Sequence, residues 1–221
     1  EGDLKEVFTP EAVYRGRALI VATGAMERAT KLPGEDRFLG RGVSYCATCD
    51  GAFYQGKEVV VLGDSEEALE EALFLCKFAS MVHLVVPGKR LLGVAEDHLP
   101  EQPNLRYHFQ HRPLEVVGDG RVEGVAVKDP YGARKLIGGE GVFVYLSGSK
   151  PSTGFLGGAV PVQEDGYLVV DEEMATPVAG VFGAGDVRRS PVKQAVLAAA
   201  DGALAAMAAD RFLHGRQKMI S

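Results

Sequence analysis

The chain has 221 residues, 46% of them hydrophobic and 24% charged, with a formal net charge of -6. That is the composition of a globular protein with room for one large domain or two modest ones. The negative balance argues against a nucleic-acid partner, no uninterrupted apolar run reaches bilayer-spanning length, and the opening residues Glu1-Gly2-Asp3-Leu4-Lys5-Glu6 lack the basic and apolar regions of a signal peptide.

Taken in order, residues 1–16 contain little that reads as the start of a domain, and Arg17-Ala18-Leu19-Ile20-Val21-Ala22-Thr23-Gly24-Ala25 reads as a buried strand running into a glycine turn. Leu32-Pro33-Gly34-Glu35-Asp36 is loop chemistry. Lys57-Glu58-Val59-Val60-Val61-Leu62-Gly63 predicts a buried parallel strand, residues 66–79 a helix with Leu69, Ala72, Leu73, Leu75 and Cys76 on helical spacing, and Val82-His83-Leu84-Val85-Val86 the next strand. These three form a βαβ unit, whose strand-to-helix turn is the place where a dinucleotide would bind. Residues 105–135 change to short strands with turns at Gly118-Asp119-Gly120 and Pro130-Tyr131-Gly132, which predicts a β-meander, and Gly141-Val142-Phe143-Val144-Tyr145-Leu146 is expected to close it. A hinge is expected at Gly148-Ser149-Lys150-Pro151-Ser152-Thr153, then a strand at Tyr167-Leu168-Val169-Val170. A further strand ends in the glycine-rich turn Gly180-Val181-Phe182-Gly183-Ala184-Gly185-Asp186, followed by a long alanine-rich helix over residues 193–214. Its small side chains at Ala195, Ala198, Ala199, Ala200, Ala203, Ala205 and Ala206 permit close approach of a sheet or a cofactor, and plain helix-on-sheet packing would also account for most of them.

The densest chemistry lies in Cys46-Ala47-Thr48-Cys49-Asp50. Two cysteines separated by two residues can open and close a small disulfide ring, and the adjacent carboxylate can pass protons as they do. Half a zinc site is the competing reading, but the one other cysteine is Cys76, in a helical segment, and no His-x3-His pair follows. A structural disulfide is a poor reading, since closing so short a loop removes little entropy from the unfolded chain. Three cysteines do not make a secreted framework, so a reducing, cytoplasmic compartment is expected. Asp50 has the alternative of a turn carboxylate capping a backbone amide. His83, His98, His108, His111 and His214 are scattered, and each reads as a surface or core histidine rather than a catalytic one.

Together, Ala22-Thr23-Gly24, Cys46-Ala47-Thr48-Cys49-Asp50-Gly51 and Gly180-Val181-Phe182-Gly183-Ala184-Gly185-Asp186 with Lys193-Gln194-Ala195 resemble the low-molecular-weight thioredoxin reductase family, in order and over nearly the whole chain. The resemblance implies an α/β protein of two Rossmann-like, three-layer nucleotide-binding domains. Residues 1–43 and 148–221 would belong to an FAD domain split in sequence, and residues 44–147 to an inserted NAD(P)-binding-like domain carrying the cysteines. It implies also a homodimer, rotation of one domain against the other, and thioredoxin or a similar disulfide protein as partner. Cys49 would face the flavin, Cys46 would exchange with the partner's disulfide, and Asp50 would be the acid/base. Asp186 would bond a ribityl hydroxyl of FAD. Lys193, Gln194 and Ala195, at the helix start, would place backbone donors near the flavin's pyrimidine edge, where a helix N-terminus favours the negative charge of the reduced ring. Ala22, Thr23, Gly24 and Gly185 would let the backbone approach the cofactor closely.

Two departures from the family pattern stand out. The family's opening strand, Gly-x-Gly-x-x-Gly turn and acidic ribose ligand are not among these residues, so this chain by itself is expected to hold FAD weakly or not at all and to represent part of a longer enzyme. In the inserted domain, the glycine-rich pyrophosphate turn is replaced by Gly63-Asp64-Ser65-Glu66-Glu67-Ala68, which sets carboxylates where phosphates should sit. The family's basic 2′-phosphate run is replaced by Val86-Pro87-Gly88-Lys89-Arg90, whose Lys89 and Arg90 read as solvated loop charges. The expectation is a flavin disulfide reductase that draws electrons from ferredoxin or another flavin rather than from NADPH. An ordinary NADPH-dependent thioredoxin reductase with an unusual turn, and a non-catalytic module that keeps only the fold, are the rivals.

Overall fold

A computed structural model describes residues 4–25, 31–95, 99–146 and 150–215. The chain divides into two compact units, Glu1–Glu27 with Ser149–Ser221, and Arg28–Gly148. Phe38, on the short helix α1 (Glu35–Phe38), and Val43 are buried in a core of the central unit. The expected boundary at 147/148, and the Gly148 and Ser149 end of the expected hinge, lie outside the described residues.

The central unit is built on a five-stranded, all-parallel sheet. Its strands are β4 (Val43–Ser44), β5 (Glu58–Gly63), β6 (Met81–Val86), β7 (Leu105–Phe109) and β11 (Gly141–Tyr145), in the order β4-β11-β5-β6-β7. In β5, Val59 and Val61 face one core with Ala68, Leu69, Ala72 and Leu75 of helix α3 (Glu66–Leu75). Val60 and Leu62 face the other, with Val116, Val125, Val127 and Ile137 of an antiparallel sheet. A strand covered on both faces needs apolar side chains in both directions, which is why residues 59–62 are an unbroken apolar run.

That antiparallel sheet is the meander β8 (Arg112–Val117), β9 (Gly124–Lys128) and β10 (Arg134–Gly138). The sequence placed residues 105–109 in it and had β11 closing it, and both expectations are corrected. β7 pairs parallel with β6, and β11 sits between β4 and β5 inside the parallel sheet. Period-two alternation carries no sign of which sheet a strand joins. Leu105, Tyr107 and Phe109 direct their apolar face to the α3 side just as a meander strand would direct its own to a neighbour.

Helix α3 ends at Leu75 rather than at residue 79, because Lys77 and Phe78 donate to the carbonyls of Phe74 and Leu75 in tighter turns. The Asn104 side-chain amide donates to the Cys76 and Ala79 carbonyls at 2.9 and 3.0 Å, closing that end.

In the other unit, β3 (Leu19–Val21) and β12 (Val181–Gly183) pair in parallel. Ala205, Ala208 and Ala209 of helix α4 (Ala195–Leu213) pack with Phe182, Ala184 and Met174, and Val21, Val160, Leu168, Val181 and Val187 form a second core. Residues 1–16, expected to hold little, contain the antiparallel hairpin β1 (Lys5–Phe8) and β2 (Val13–Gly16). Its exposed Phe8, Val13 and Tyr14 are why no buried pattern announced it. The strand expected at residues 167–170 is reduced to isolated bridges at Leu168. Among the described residues no helix is long and apolar enough to cross a membrane.

Candidate redox site

Strand β4 delivers the cysteines. It lies beside β11, and Gly42 before it has φ +121° with Val122 where a Cβ would go, so only glycine lets the chain enter. Cys46 is then the N-cap of the four-residue helix α2 (Ala47–Asp50), and its Sγ accepts the Cys49 N–H at 3.1 Å. A sulfur at an N-cap is held next to backbone donors. Cys46 and Cys49 are joined in a disulfide with their Cα atoms 5.3 Å apart. Cys49 is exposed and Cys46 half-buried. Cys76 is not in the pair; it sits at the end of α3, where burial pushes its thiol pKa up.

Polar contacts tie down this short helix and the chain that leads into it. The Ala47 N–H donates to Tyr145 Oη at 2.9 Å, and Tyr145 Oη donates to Glu71 Oε2 of α3 at 3.3 Å. Burial is the first cause that raises the Tyr145 hydroxyl, with the Glu71 charge behind it, and burial likewise raises the Glu71 carboxyl. Ser44 Oγ donates to Asp50 Oδ2 at 2.6 Å and accepts the Cys46 N–H at 3.1 Å. Tyr45 Oη donates to Glu35 Oε1 at 2.6 Å, while Glu35 Oε2 takes the Leu32 N–H at 2.9 Å, so the fully buried Glu35 braces the chain just ahead of Cys46.

In the other unit, Ala22-Thr23-Gly24 and Ala184-Gly185-Asp186 leave β3 and β12 at the same, C-terminal end of the parallel pair. Thr23 Oγ1 donates to the Ser152 carbonyl at 2.7 Å, and Gly24 has φ +72°. Asp186 lies on the 3-10 turn Gly185–Val187 and is half-buried. Gln194 is the N-cap of α4 without capping it through its side chain, Ala195 opens the helix exposed, and the Lys193 ammonium lies 6.0 Å from the centre of the Tyr167 ring. Ligands of parallel α/β sheets sit beyond the carboxyl ends of the strands, which is where both segments end.

Residues 3–202 match the family described as pyridine nucleotide-disulphide oxidoreductase. A thioredoxin reductase of Aquifex aeolicus is 49% identical over 222 residues, covering 99% of this chain and 69% of that protein. The chain belongs to the thioredoxin reductase family of disulfide oxidoreductases. Among solved structures, a Gloeobacter violaceus thioredoxin reductase is 49% identical with a TM-score of 0.58, over 99% of this chain and 69% of that one. A Clostridium acetobutylicum protein described as a ferredoxin-flavin thioredoxin reductase is 33% identical with a TM-score of 0.50, over 97% of this chain and 69% of that one.

Against that family background, the residues that sequence reasoning missed are the supports. Ser44, Tyr145, Glu71 and Glu35 are ordinary residue types whose partners lie on other elements, and nothing local marks them. Asp201 is the clearest case. A carboxylate on the buried face of an alanine helix, it accepts the Gly185 N–H at 3.1 Å and receives Arg188 through both oxygens at 2.6 Å. That bond to Asp201 is the first cause that raises the Arg188 guanidinium further above its already high value. A lone acidic residue inside an apolar helical stripe was the available signal. The turn at Gly63-Asp64-Ser65 is closed by its own residues: Ser65 Oγ accepts the Ala68 N–H at 3.4 Å, and the Asp64 carbonyl takes the Leu92 N–H at 2.6 Å. Lys89 and Arg90 are exposed. His83, His108 and His111, scattered in sequence, converge: His83 Nδ1 and His108 Nε2 are 2.9 Å apart, and the His108 and His111 rings 5.5 Å. His98 lies outside the described residues.

Proposed function

We propose that the chain works as a flavin-dependent disulfide reductase that reduces thioredoxin or a similar protein disulfide through Cys46 and Cys49. The observation that carries this is the Cys46–Cys49 disulfide on a helix start with Asp50 fixed beside it. In the reducing direction the Cys46 thiolate attacks the partner's disulfide and forms a mixed disulfide. Cys49 then attacks Cys46 Sγ, the ring closes, and the partner leaves as a dithiol. Asp50 takes the proton that the attacking thiol gives up.

The residues at the end of the β3–β12 pair fit an FAD. The Asp186 carboxylate stands on a turn pinned through Gly185, and α4 begins with an exposed Ala195 at a helix N-terminus. Asp186 would hold the ribityl chain and the Gln194-Ala195 segment the pyrimidine edge, with Ala22, Thr23 and Gly24 alongside. When bound, the flavin would supply the two-electron relay between the external donor and the disulfide.

The donor in this reading is ferredoxin or another flavin rather than NADPH. Asp64 and Glu66 set carboxylates at the dinucleotide turn, Ser65 spends its hydroxyl on the helix start, and the similar Clostridium acetobutylicum protein is described as a ferredoxin-flavin enzyme. The soluble protein would act in the cytoplasm, as a homodimer. The test is anaerobic flavin bleaching in the flavin-loaded protein with NADPH, NADH and reduced ferredoxin in turn. Bleaching by ferredoxin alone, followed by thioredoxin reduction that Cys49→Ser abolishes, is the expected result. Rapid bleaching by NADPH would return the conventional reading, and thioredoxin reduction untouched by Cys49→Ser would return a module whose cysteines do no work.

A further inference from the structure

We propose that Ser44 is a positioning residue for the thiol–disulfide step: it directs the Asp50 carboxylate and commits its Oδ1 oxygen to proton exchange with the cysteines. The inference rests on the reading of Cys46, Cys49 and Asp50 given above. Ser44 is 5% exposed and sits at the end of β4, two residues before Cys46 and six before Asp50. Its hydroxyl is engaged on both sides. The Cys46 N–H points into its lone pair at 3.1 Å, and its own hydrogen has the Asp50 Oδ2 at 2.6 Å, against a poorer 3.4 Å to the Cys46 carbonyl.

One hydroxyl has one hydrogen, and the short contact to a carboxylate takes it. The chain of donors therefore has a fixed polarity, from Cys46 N–H through Ser44 O–H to Asp50 Oδ2. Oδ2 is an acceptor in both protonation states, so a proton arriving at Asp50 settles on Oδ1. Among the described residues Oδ1 has no competing hydrogen-bond partner. In the step itself, Asp50 Oδ1 takes the proton from the Cys46 thiol as its sulfur bonds to one sulfur of a disulfide. The other sulfur leaves as a thiolate; in the second exchange Cys49 gives its proton to water, bonds to Cys46 Sγ and displaces the second thiolate, so one dithiol and one disulfide are interchanged. Without Ser44 the carboxylate loses the donor that holds its Oδ2 and is free to turn.

The test follows reoxidation of the prereduced protein, freed of reductant, by excess bis(nitrobenzoate) disulfide, whose released thiolate is coloured; no electron donor is needed. Ser44→Ala is expected to slow the reaction by about tenfold, since the carboxylate no longer holds one orientation. Ser44→Thr, which keeps the hydroxyl, restores the rate, and in an Asp50→Asn background Ser44→Ala has no further effect. No change, a loss that Ser44→Thr does not restore, or a loss of the same factor with Asp50→Asn in place overturns the proposal and leaves Ser44 a packing residue. Asp50→Asn separates the two levels: if it leaves the rate at the wild-type value, Asp50 is not the base, and the reading of the site falls together with the Ser44 proposal. Should Ser44→Ala not fold, Ser44→Gly is read in its place. Should neither fold, amide exchange at Cys46 decides: protection that drops in Asp50→Ala supports the donor chain, and unchanged protection overturns it.

Discussion

Both units run a parallel strand into a glycine-bearing turn and then a helix, and the two turns are finished in opposite ways. After β5, Gly63-Asp64-Ser65 spends its polar groups on the protein: Ser65 caps α3, and the Asp64 carbonyl is taken by Leu92. After β12, the Gly185–Val187 turn is braced from below by Asp201 and Arg188, leaving Asp186 and the start of α4 at the surface. A closed turn gives a stable βαβ unit and few donors for a ligand, whereas a turn braced from behind keeps its outer face for one. The same local motif thus serves packing in one unit and, as proposed, cofactor binding in the other.

Removing the brace should have the largest effect. Asp201→Ala strands the Arg188 guanidinium and the Gly185 N–H in a site where Asp201 is 6% exposed. The expected cost is about 3 kcal/mol, confined to the unit that holds α4. Amide exchange along β12 and α4 would report it while β5 and β6 keep their protection. Equal loss in both units would mean that Asp201 is no local brace.

The two glycines should fail for different reasons. A Cβ at Gly63 would lie 2.5 Å from the Ala68 Cβ and 3.0 Å from the Tyr145 carbonyl oxygen, so Gly63→Ala should cost about 2 kcal/mol through overpacking. With Ala68→Gly added, the pair should cost less than the sum of the two singles in a urea-unfolding cycle. Gly185 has φ +73° and a Cβ there would be 3.3 Å from Ala198, so its constraint is the backbone. Gly185→Asn should then be tolerated better than Gly185→Ala, and the reverse order would assign Gly185 to packing as well.

The central unit has a pH response that the other should lack. Burial, with the charges of His83, His111 and Arg106 behind it, pushes His108 down to about 4. The unfolded chain therefore binds the proton more readily than the folded one between about pH 6.5 and 4. Stability contributed by neutral His108 is present above the unfolded value and is lost as pH falls through that window. Discounted for partial exposure, the loss should be about 1–2 kcal/mol, and His108→Gln should flatten the curve for β6 and β7 amides. A slope that survives the substitution would move the effect to His83, whose pKa burial also lowers.

The parts legible in the sequence were those whose cause is local. The unbroken apolar run at residues 59–62 declared a doubly covered strand, Cys46 and Cys49 lay three apart, and Gly185-Asp186 followed a strand. What stayed hidden depends on partners far along the chain. Residues 105–109 alternate like a meander strand and join the parallel sheet instead, because only the pairing of Val82 with Leu105 decides it. Tyr145 reads as an ordinary strand residue, and its hydroxyl accepts the Ala47 amide 98 residues away. A separation of 25 residues likewise hides the convergence of His83 with His108. Site chemistry was thus readable and site support was not.

The smallest expected effect bears most directly on the contrast between the turns. Ser65→Ala removes the acceptor for the Ala68 N–H and should cost about 1 kcal/mol, seen as faster exchange in the first turn of α3. Ser65→Gly should cost only a few tenths, because glycine is tolerated at an N-cap, yet it frees the same amide. If the cap were what keeps a dinucleotide out, Ser65→Gly would gain NADPH affinity. No gain is expected, since Asp64 and Glu66 would still face the pyrophosphate at a helix start. Replacing all three, as Asp64→Gly, Ser65→Gly and Glu66→Asn, removes both charges and the side chain together, and NADPH quenching should then tighten by about tenfold, roughly one favourable charge contact. Tight NADPH binding by the unaltered protein would erase the distinction, making the closed turn a variant pyrophosphate site and leaving the two units alike.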